Sequence, residues 1–370
     1  MAFLFSSFYF FYFSIIAIHI IFIPKVLSMV GFPPSDIGII FASAPLVRFI
    51  IPFLFLRGLQ LGRGIFNAAL LLLFLSVCSF YLALHSFWGL LFANIGLGVG
   101  LSLVLPYIEV IALEQIGKER YGKIRLFGSI GFILVALALV KTLTSPEIAI
   151  FYLIGTVVFS AIFGFIIAYK ERHYNTSPKK DTTLHIFLHP WLWIGFLLMQ
   201  VSFGPFYNFF TIYETDHGIS LDMTIYLWSF GVIIEVLMFY FQGPLLRRNL
   251  LHVIQATAII TAFRWLLVYL FPENLTILFM SQSLHALSFA LFHTAAISYL
   301  FTLYSHRKLA QQFFFGIAYG LGGFVGAISS GYIYEYIPEF LFLFAAFVSF
   351  ISFGAFLKAS KHEKSIINNQ

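Results

Sequence analysis

The chain has 370 residues, 61% of them hydrophobic and only 10% charged, with a mean hydropathy of +0.95 and a formal net charge of +6. No soluble fold can cover that much apolar surface with so few polar side chains, so the sequence describes an integral membrane protein. The basic residues fall in short clusters between apolar runs, which excludes a nucleic-acid partner, and the single cysteine, Cys78, excludes an intrachain disulfide.

A bilayer core of about 30 Å needs roughly 20 apolar residues in helix. Twelve such runs follow in order: Leu4–Ile23, Ile37–Leu56, Ile65–Leu84, Phe87–Leu113, Ile124–Leu143, Ile148–Ala168, Trp191–Tyr213, Met223–Gly243, Val253–Phe271, Leu275–Leu303, Phe313–Tyr332 and Phe340–Leu357. None alternates, which argues against a β-barrel. The first lacks a basic n-region and is read as a retained helix rather than a cleaved leader. The 49 Phe are read as AT-rich codon usage and carry no inference about the solute. The polar stretch from Tyr169 to Pro190 divides the spans into six and six. The expected units are therefore 1–168, a linker 169–190, 191–358 and a tail 359–370. His185 and His189 in this linker have no carboxylate or cysteine partner and are not read as a metal site.

Nearly all Lys and Arg lie on one set of loops, including Lys118, Arg120, Lys123 and Arg125 before the fifth span. The exceptions are Lys25 and Lys141 on the other side and Arg48 and Arg264 inside spans. By the positive-inside rule both termini are expected to be cytoplasmic; the expected location is the plasma (inner) membrane.

The second span of each half opens alike. GFPPSDIGIIFASAPLVRF runs from Gly31 to Arg48, and GISLDMTIYLWSFGVIIEV runs from Gly218 to Glu235. Each begins with a glycine turn and places one charge at the same spacing, roughly 18–20 Å below the membrane edge. Such a repeat fits a transporter built from two halves related by an axis along the membrane normal.

Four charges lie inside spans: Arg48, Glu109, Glu235 and Arg264. Each costs about 2.5–3.5 kcal/mol against lipid, so they face a cavity or each other. Neutralising pairs that fix helix packing are the competing reading. Arg264 in the ninth span and His285 in the tenth reach the midplane from opposite sides, near Glu235 on the eighth. Carboxylate, guanidinium and imidazole at one depth make a proton relay. Gln282 shares a helix face with His285, and His293 lies two turns on. Gln200, Tyr207 and Asn208 are candidates to line a binding cavity, or to bond helix to helix. Glu109, after Pro106, either pairs with Arg125 or Lys123 at the inner mouth or takes part in transport. Gly128 and Gly131 in the fifth span, and Gly320, Gly322, Gly323 and Gly326 in the eleventh, allow close helix approach.

These stretches, with YGKIRLFGSIGF, FRW carrying Arg264, HALSFALFHTAA and YGLGGFVGAISSGYIYEY, resemble the major facilitator superfamily. More narrowly they resemble its phenylpropionate permease group, a relative of the lactose permease branch. The resemblance implies an all-α membrane fold of two pseudo-symmetric six-helix bundles. It also implies proton-coupled import of a small organic solute, with a Glu, an Arg and a His on the eighth, ninth and tenth helices in coupling. Glu235, Arg264 and His285 fall on those helices. The family's acid between helices two and three is absent from LRGLQLGRG, which keeps Gly58, Gly62 and Arg63, and Phe and Tyr replace small residues in the first helix.

The resulting expectation is a monomeric secondary transporter working by alternating access. Its partners are a small solute, protons and lipid, and it uses the proton gradient rather than a cofactor or metal. Arg48 or Arg264 holds a solute carboxylate, and Glu235 carries the proton. One alternative is a sugar or nucleoside permease stacking its solute on Trp228 or Trp265. A membrane enzyme or sensor lacks a nucleophile–base set, a metal cluster or a Walker motif in this sequence.

Overall fold

A computed structural model describes residues 1–57, 60–171 and 188–368. Gly58 and most of the expected linker, with His185, lie outside them. The secondary structure among the described residues is helical throughout. The first half holds α1 (Ala2–Val30), α2 (Pro34–Leu56), α3 (Arg63–Leu82), α4 (Phe87–Ile116), α5 (Lys118–Thr142) and α6 (Pro146–Lys170). The second holds α7 (Pro190–Ser202), α8 (Gly204–Asp216), α9 (Leu221–Phe241), α10 (Leu250–Leu270), α11 (Leu275–Leu303), α12 (Leu309–Tyr336) and α13 (Leu341–Asn368).

Eleven of the helices among the described residues are long and apolar enough to cross a bilayer. The expected seventh span is the exception, because it forms as two 13-residue helices, α7 and α8, meeting at Phe203. Pro205 cannot donate to the carbonyl of Val201, and its ring crowds that carbonyl, so the helix breaks there. The C-terminal helix also runs further than hydropathy indicated, to Asn368.

Loop chemistry sets several starts. Ser86, Ser220, Asn249 and Asn274 each accept from the backbone N–H three residues on, satisfying a donor the helix leaves open. The two glycines of the sequence repeat have the same geometry. Gly31 (φ 101°) and Gly218 (φ 83°) are both left-handed, a conformation glycine adopts without steric cost, and each is followed by the second spanning helix of its half.

Large apolar side chains such as Leu71, Phe92, Phe151, Phe241 and Phe347 stand exposed on the outer faces, as lipid contact requires. Inside the first half, α1 packs against α5 so closely that a Cβ on Gly131 would lie 2.1 Å from the Phe10 carbonyl oxygen. The halves meet along α2 with α12, α5 with α9, and α1 with α8. At the α2–α12 seam a Cβ on Gly320 would lie 2.6 Å from the Phe49 nitrogen, and one on Gly38 2.7 Å from the Ala327 carbonyl.

Three polar clasps join the halves at the end opposite the chain termini, called here the distal end. Lys25 Nζ donates to Thr215 Oγ1 (2.8 Å) and lies 3.9 Å from Asp216. Lys141 pairs with Asp222. The backbone N–H of Ser35, at the start of α2, donates to Glu335 Oε2 on α12 (2.9 Å), so one half caps a helix of the other.

Candidate functional site

Midway along the second half, ionisable side chains gather from α9, α10 and α11. Arg264 on α10 is fully buried. Its Nη1 donates to His285 Nδ1 (2.9 Å) and Ser288 Oγ (3.2 Å), and its Nη2 donates to Gln282 Oε1 (3.0 Å). The guanidinium also lies over the ring of Phe206 at 4.6 Å and against Trp265 at 4.2 Å, faces that favour a cation. On its other side His285 approaches Glu235, with Nε2 3.4 Å from Oε2.

The donor pattern fixes the tautomer. A guanidinium only donates, so His285 Nδ1 must be the acceptor and its proton sits on Nε2, facing Glu235. The imidazole therefore transmits the position of Arg264 to the carboxylate, and protonating Nδ1 would break the Arg264 bond. At 3.4 Å the Glu235 contact is longer than a good hydrogen bond, so this carboxylate is only loosely held. Among the described residues Glu235 and Arg264 form no direct ion pair; His285 stands between them.

The spacing of α11 differs from a regular helix. Residues Ala286–Leu291 form a π-turn directly after His285. The rings of His285, Phe289 and His293 still stack in sequence along one side, at 5.3 and 6.2 Å between centroids. His293 Nδ1 is 2.7 Å from the Tyr319 hydroxyl on α12, which lies in a second π-segment, Phe315–Gly322.

From the other half comes Arg48 on α2. It forms no hydrogen bond or ion pair within 4 Å among the described residues, and it is only partly buried. Its electrostatic neighbours are Tyr12 of α1, Tyr207 of α8 and Tyr319 of α12. Tyr207 and Tyr319 in turn sense Glu235, and Tyr207 senses Arg264. Arg48, Tyr207, Tyr319 and Glu235 come from both halves, are electrostatic neighbours and are each partly accessible, so they border an internal hollow, whereas Tyr12 and Arg264 are buried behind them.

Arg125 of α5 reaches this hollow from the terminal side. Its Nε donates to Glu109 Oε1 (3.4 Å), which also accepts from Tyr121 (3.1 Å), and its guanidinium lies over Phe13 at 3.9 Å. Of the partners suggested for Glu109, Arg125 is the one it meets, and Arg125 interacts electrostatically with Glu235 and His293 across the halves.

Two other candidates sit differently. Gln200 is buried on α7, 3.0 Å from where a Cβ on Gly322 would stand, and its side-chain nitrogen has no partner. Asn208 bonds back to the Gly204 carbonyl (2.8 Å), sealing the break between α7 and α8. The sequence reading missed Tyr12, Tyr319, Ser288 and the aromatic cradle of Arg264. Tyrosine is too frequent here for any one to stand out, and Ser288 becomes visible only once the π-turn sets the register of α11.

Comparison with known proteins agrees with this architecture. The chain matches the MFS_1 like family over residues 3–345. It is 26% identical over 357 residues, 92% of this chain and 93% of its relative, to a protein of Escherichia coli (strain K12) named "Probable 3-phenylpropionic acid transporter". It is also 26% identical over 276 residues, 71% of this chain and 69% of the other, to the uncharacterized transporter YwbF of Bacillus subtilis (strain 168). Among solved structures it resembles the nucleoside transporter NupG (TM-score 0.78, 17% identity, covering 97% of this chain and 99% of that one). It likewise resembles the POT family transporter PepTSo (TM-score 0.77, 10% identity, covering 97% of each). At such identities these structures speak to fold alone. The chain thus belongs to the MFS_1 like family and is a multi-span membrane transporter of the major facilitator type.

Proposed function

We propose that the protein is a proton-coupled symporter that imports a small organic carboxylate, an aromatic one being favoured, by alternating access. It works as a monomer in the plasma or inner membrane with both termini in the cytoplasm, and it moves its solute without chemical change. The observation that carries this reading is the Arg48 guanidinium, held at mid-depth among hydroxyls with no carboxylate partner among the described residues. An intramembrane cation is costly without a counter-charge. A solute carboxylate supplies one, and Arg can bind it through two parallel N–H donors. Arg264 is the weaker candidate because both of its Nη atoms are already engaged and it is fully buried.

Glu235 is the proton carrier in this reading. It is loosely held, partly accessible (18% of its side chain) and linked through His285 to the fixed cation Arg264. A solute carboxylate arriving between Arg48 and Tyr207, Tyr319 and Tyr12 adds negative charge to the hollow. That charge favours a proton on Glu235, which couples loading of the two. Aromatic faces of Phe289 and Tyr319 nearby suit a ring on the solute. The relative named as a phenylpropionic acid transporter is consistent with that class.

The sugar or nucleoside alternative needs an open stacking face. Trp265 is fully buried beneath Arg264, and Trp228 is packed on Phe206 at 4.1 Å, so neither offers one. Uptake into vesicles under an imposed proton gradient tests the proposal. Labelled aromatic carboxylates should accumulate and compete with one another, whereas accumulation of sugars or nucleosides with no competition from carboxylates would refute it.

A further inference from the structure

One ionisable group takes no part in the scheme above. Glu214, near the distal end of α8, is 0% exposed, and both of its carboxylate oxygens are buried without a hydrogen-bond partner. It is two residues before Asp216, which joins the Lys25 clasp. One turn in the other direction, Thr211 accepts from the Trp228 indole (3.2 Å), and Tyr207 of the central hollow is one turn further. Tyr207, Thr211 and Glu214 therefore share a helix face running from the hollow toward the distal clasp.

A carboxylate taken out of water with no partner is among the costliest groups a protein can bury, whereas a neutral acid costs only about 1–3 kcal/mol for its unmade hydrogen bonds. On the elements packed against α8 at this end, the titratable groups are Lys25 of α1, Asp222 and Tyr226 of α9, Tyr269 of α10 and Tyr332, Tyr334, Glu335 and Tyr336 of α12, while α13 brings apolar side chains such as Phe342. His217, just past α8, lies on the Tyr213 ring with its Nδ1 2.8 Å from the Tyr213 carbonyl oxygen, and Glu335 accepts from Ser35. Tyr213 and Tyr334 interact electrostatically with Glu214 and are neutral hydroxyls that offer no positive charge. Lys25 is spent on Thr215 and Asp216, and Asp222 on Lys141. No cluster of three His, Cys, Asp or Glu side chains stands among the described residues to complete a metal site.

We propose that Glu214 is a second proton-binding site, which must take up a proton for the distal clasps to close. The step is protonation alone: a proton from the distal solution joins one carboxylate oxygen as α1 and α12 cover it, and leaves when they part. The assignment to the transport cycle rests on the alternating-access reading above, but the proton site itself does not.

The sign of the pH response separates this from the clasps. Closure that consumes a proton is favoured at low pH and undone as pH rises. Asp216, Asp222 and Glu335 act as ionised partners, so acid would weaken their clasps and open the same end. Spin labels at Met29→Cys and Glu339→Cys, in a Cys78→Ser background, report the distal separation of the halves without any solute. The unaltered site should show an open, long-distance population that grows as pH rises. Glu214→Gln, an isosteric neutral replacement, should hold the short distance as pH rises, and Glu214→Met should do the same; the acid weakening of the clasps themselves should remain in both. Infrared spectra should show one carboxylic-acid C=O band that Glu214→Gln removes and Glu235→Gln leaves in place. A Glu214→Gln protein with the full pH response of its parent, or with no acid band lost, overturns the proposal. Failure of the carboxylate-import reading would leave both signals unchanged.

Discussion

The two arginines inside the membrane are treated in opposite ways. Arg264 is fully buried, bonds to three neutral acceptors and is packed against aromatic faces. Arg48, in the other half, is partly accessible, surrounded by tyrosines and bonded to nothing within 4 Å among the described residues. One cation is a fixture of the fold, and the other is left among tyrosines without an ion-pair partner among the described residues. An intramembrane charge in a sequence therefore does not declare its use, which is set by what the neighbouring helices offer it.

Substitutions can sharpen or break that contrast. The largest effect should come from Arg264→Leu. It orphans buried Gln282, His285 and Ser288 together, and loss of one partner from such a network costs about 3–5 kcal/mol. Thermal unfolding in detergent should show that loss, and Arg264→Lys should recover only part of it because an ammonium lacks the planar fork. Arg48→Ala should leave unfolding nearly unchanged while weakening carboxylate binding by about 2–5 kcal/mol, the usual cost of removing one side of a desolvated charge pair. A solute-binding isotherm checks this, and a destabilised Arg48→Ala would place Arg48 with Arg264 as a structural group.

A smaller effect is expected at the seam between α1 and α5. Gly131→Ala puts a methyl where the Phe10 carbonyl stands and should cost about 1–3 kcal/mol of stability through overpacking. Smallest is Lys25→Met in the distal clasp. Its partner Asp216 is half exposed, and such a pair is worth at most about 1 kcal/mol. The readout is a modest rise in the open distal population by spin-label distances, with unfolding unchanged.

Much of the architecture was legible because a bilayer imposes length and composition on each span. The positive-φ geometry of Gly31 and Gly218 follows from the repeat that the sequence displays openly. The break at Phe203 was written in Ser202–Phe203–Gly204–Pro205, but hydropathy alone reads through it. Helix faces were harder to read. In lipid both the outside and the core are apolar, so the periodicity that orients a soluble amphipathic helix is missing, and Tyr12 and Tyr319 looked like any other tyrosine. Charges escaped that ambiguity, which is why Glu235, Arg264 and His285 could be picked out. Glu214 was passed over for a boundary reason: the seventh span was ended at Tyr213, one residue short, while α8 continues to Asp216 and buries it.

The central claim is that Glu235 carries the coupling proton and Arg48 the solute. Glu235→Gln in vesicles tests it most directly, comparing uphill uptake driven by a proton gradient with solute exchange across the same membrane. The account predicts that accumulation above equilibrium disappears while exchange of labelled for unlabelled carboxylate continues. Undiminished uphill accumulation by Glu235→Gln would contradict it.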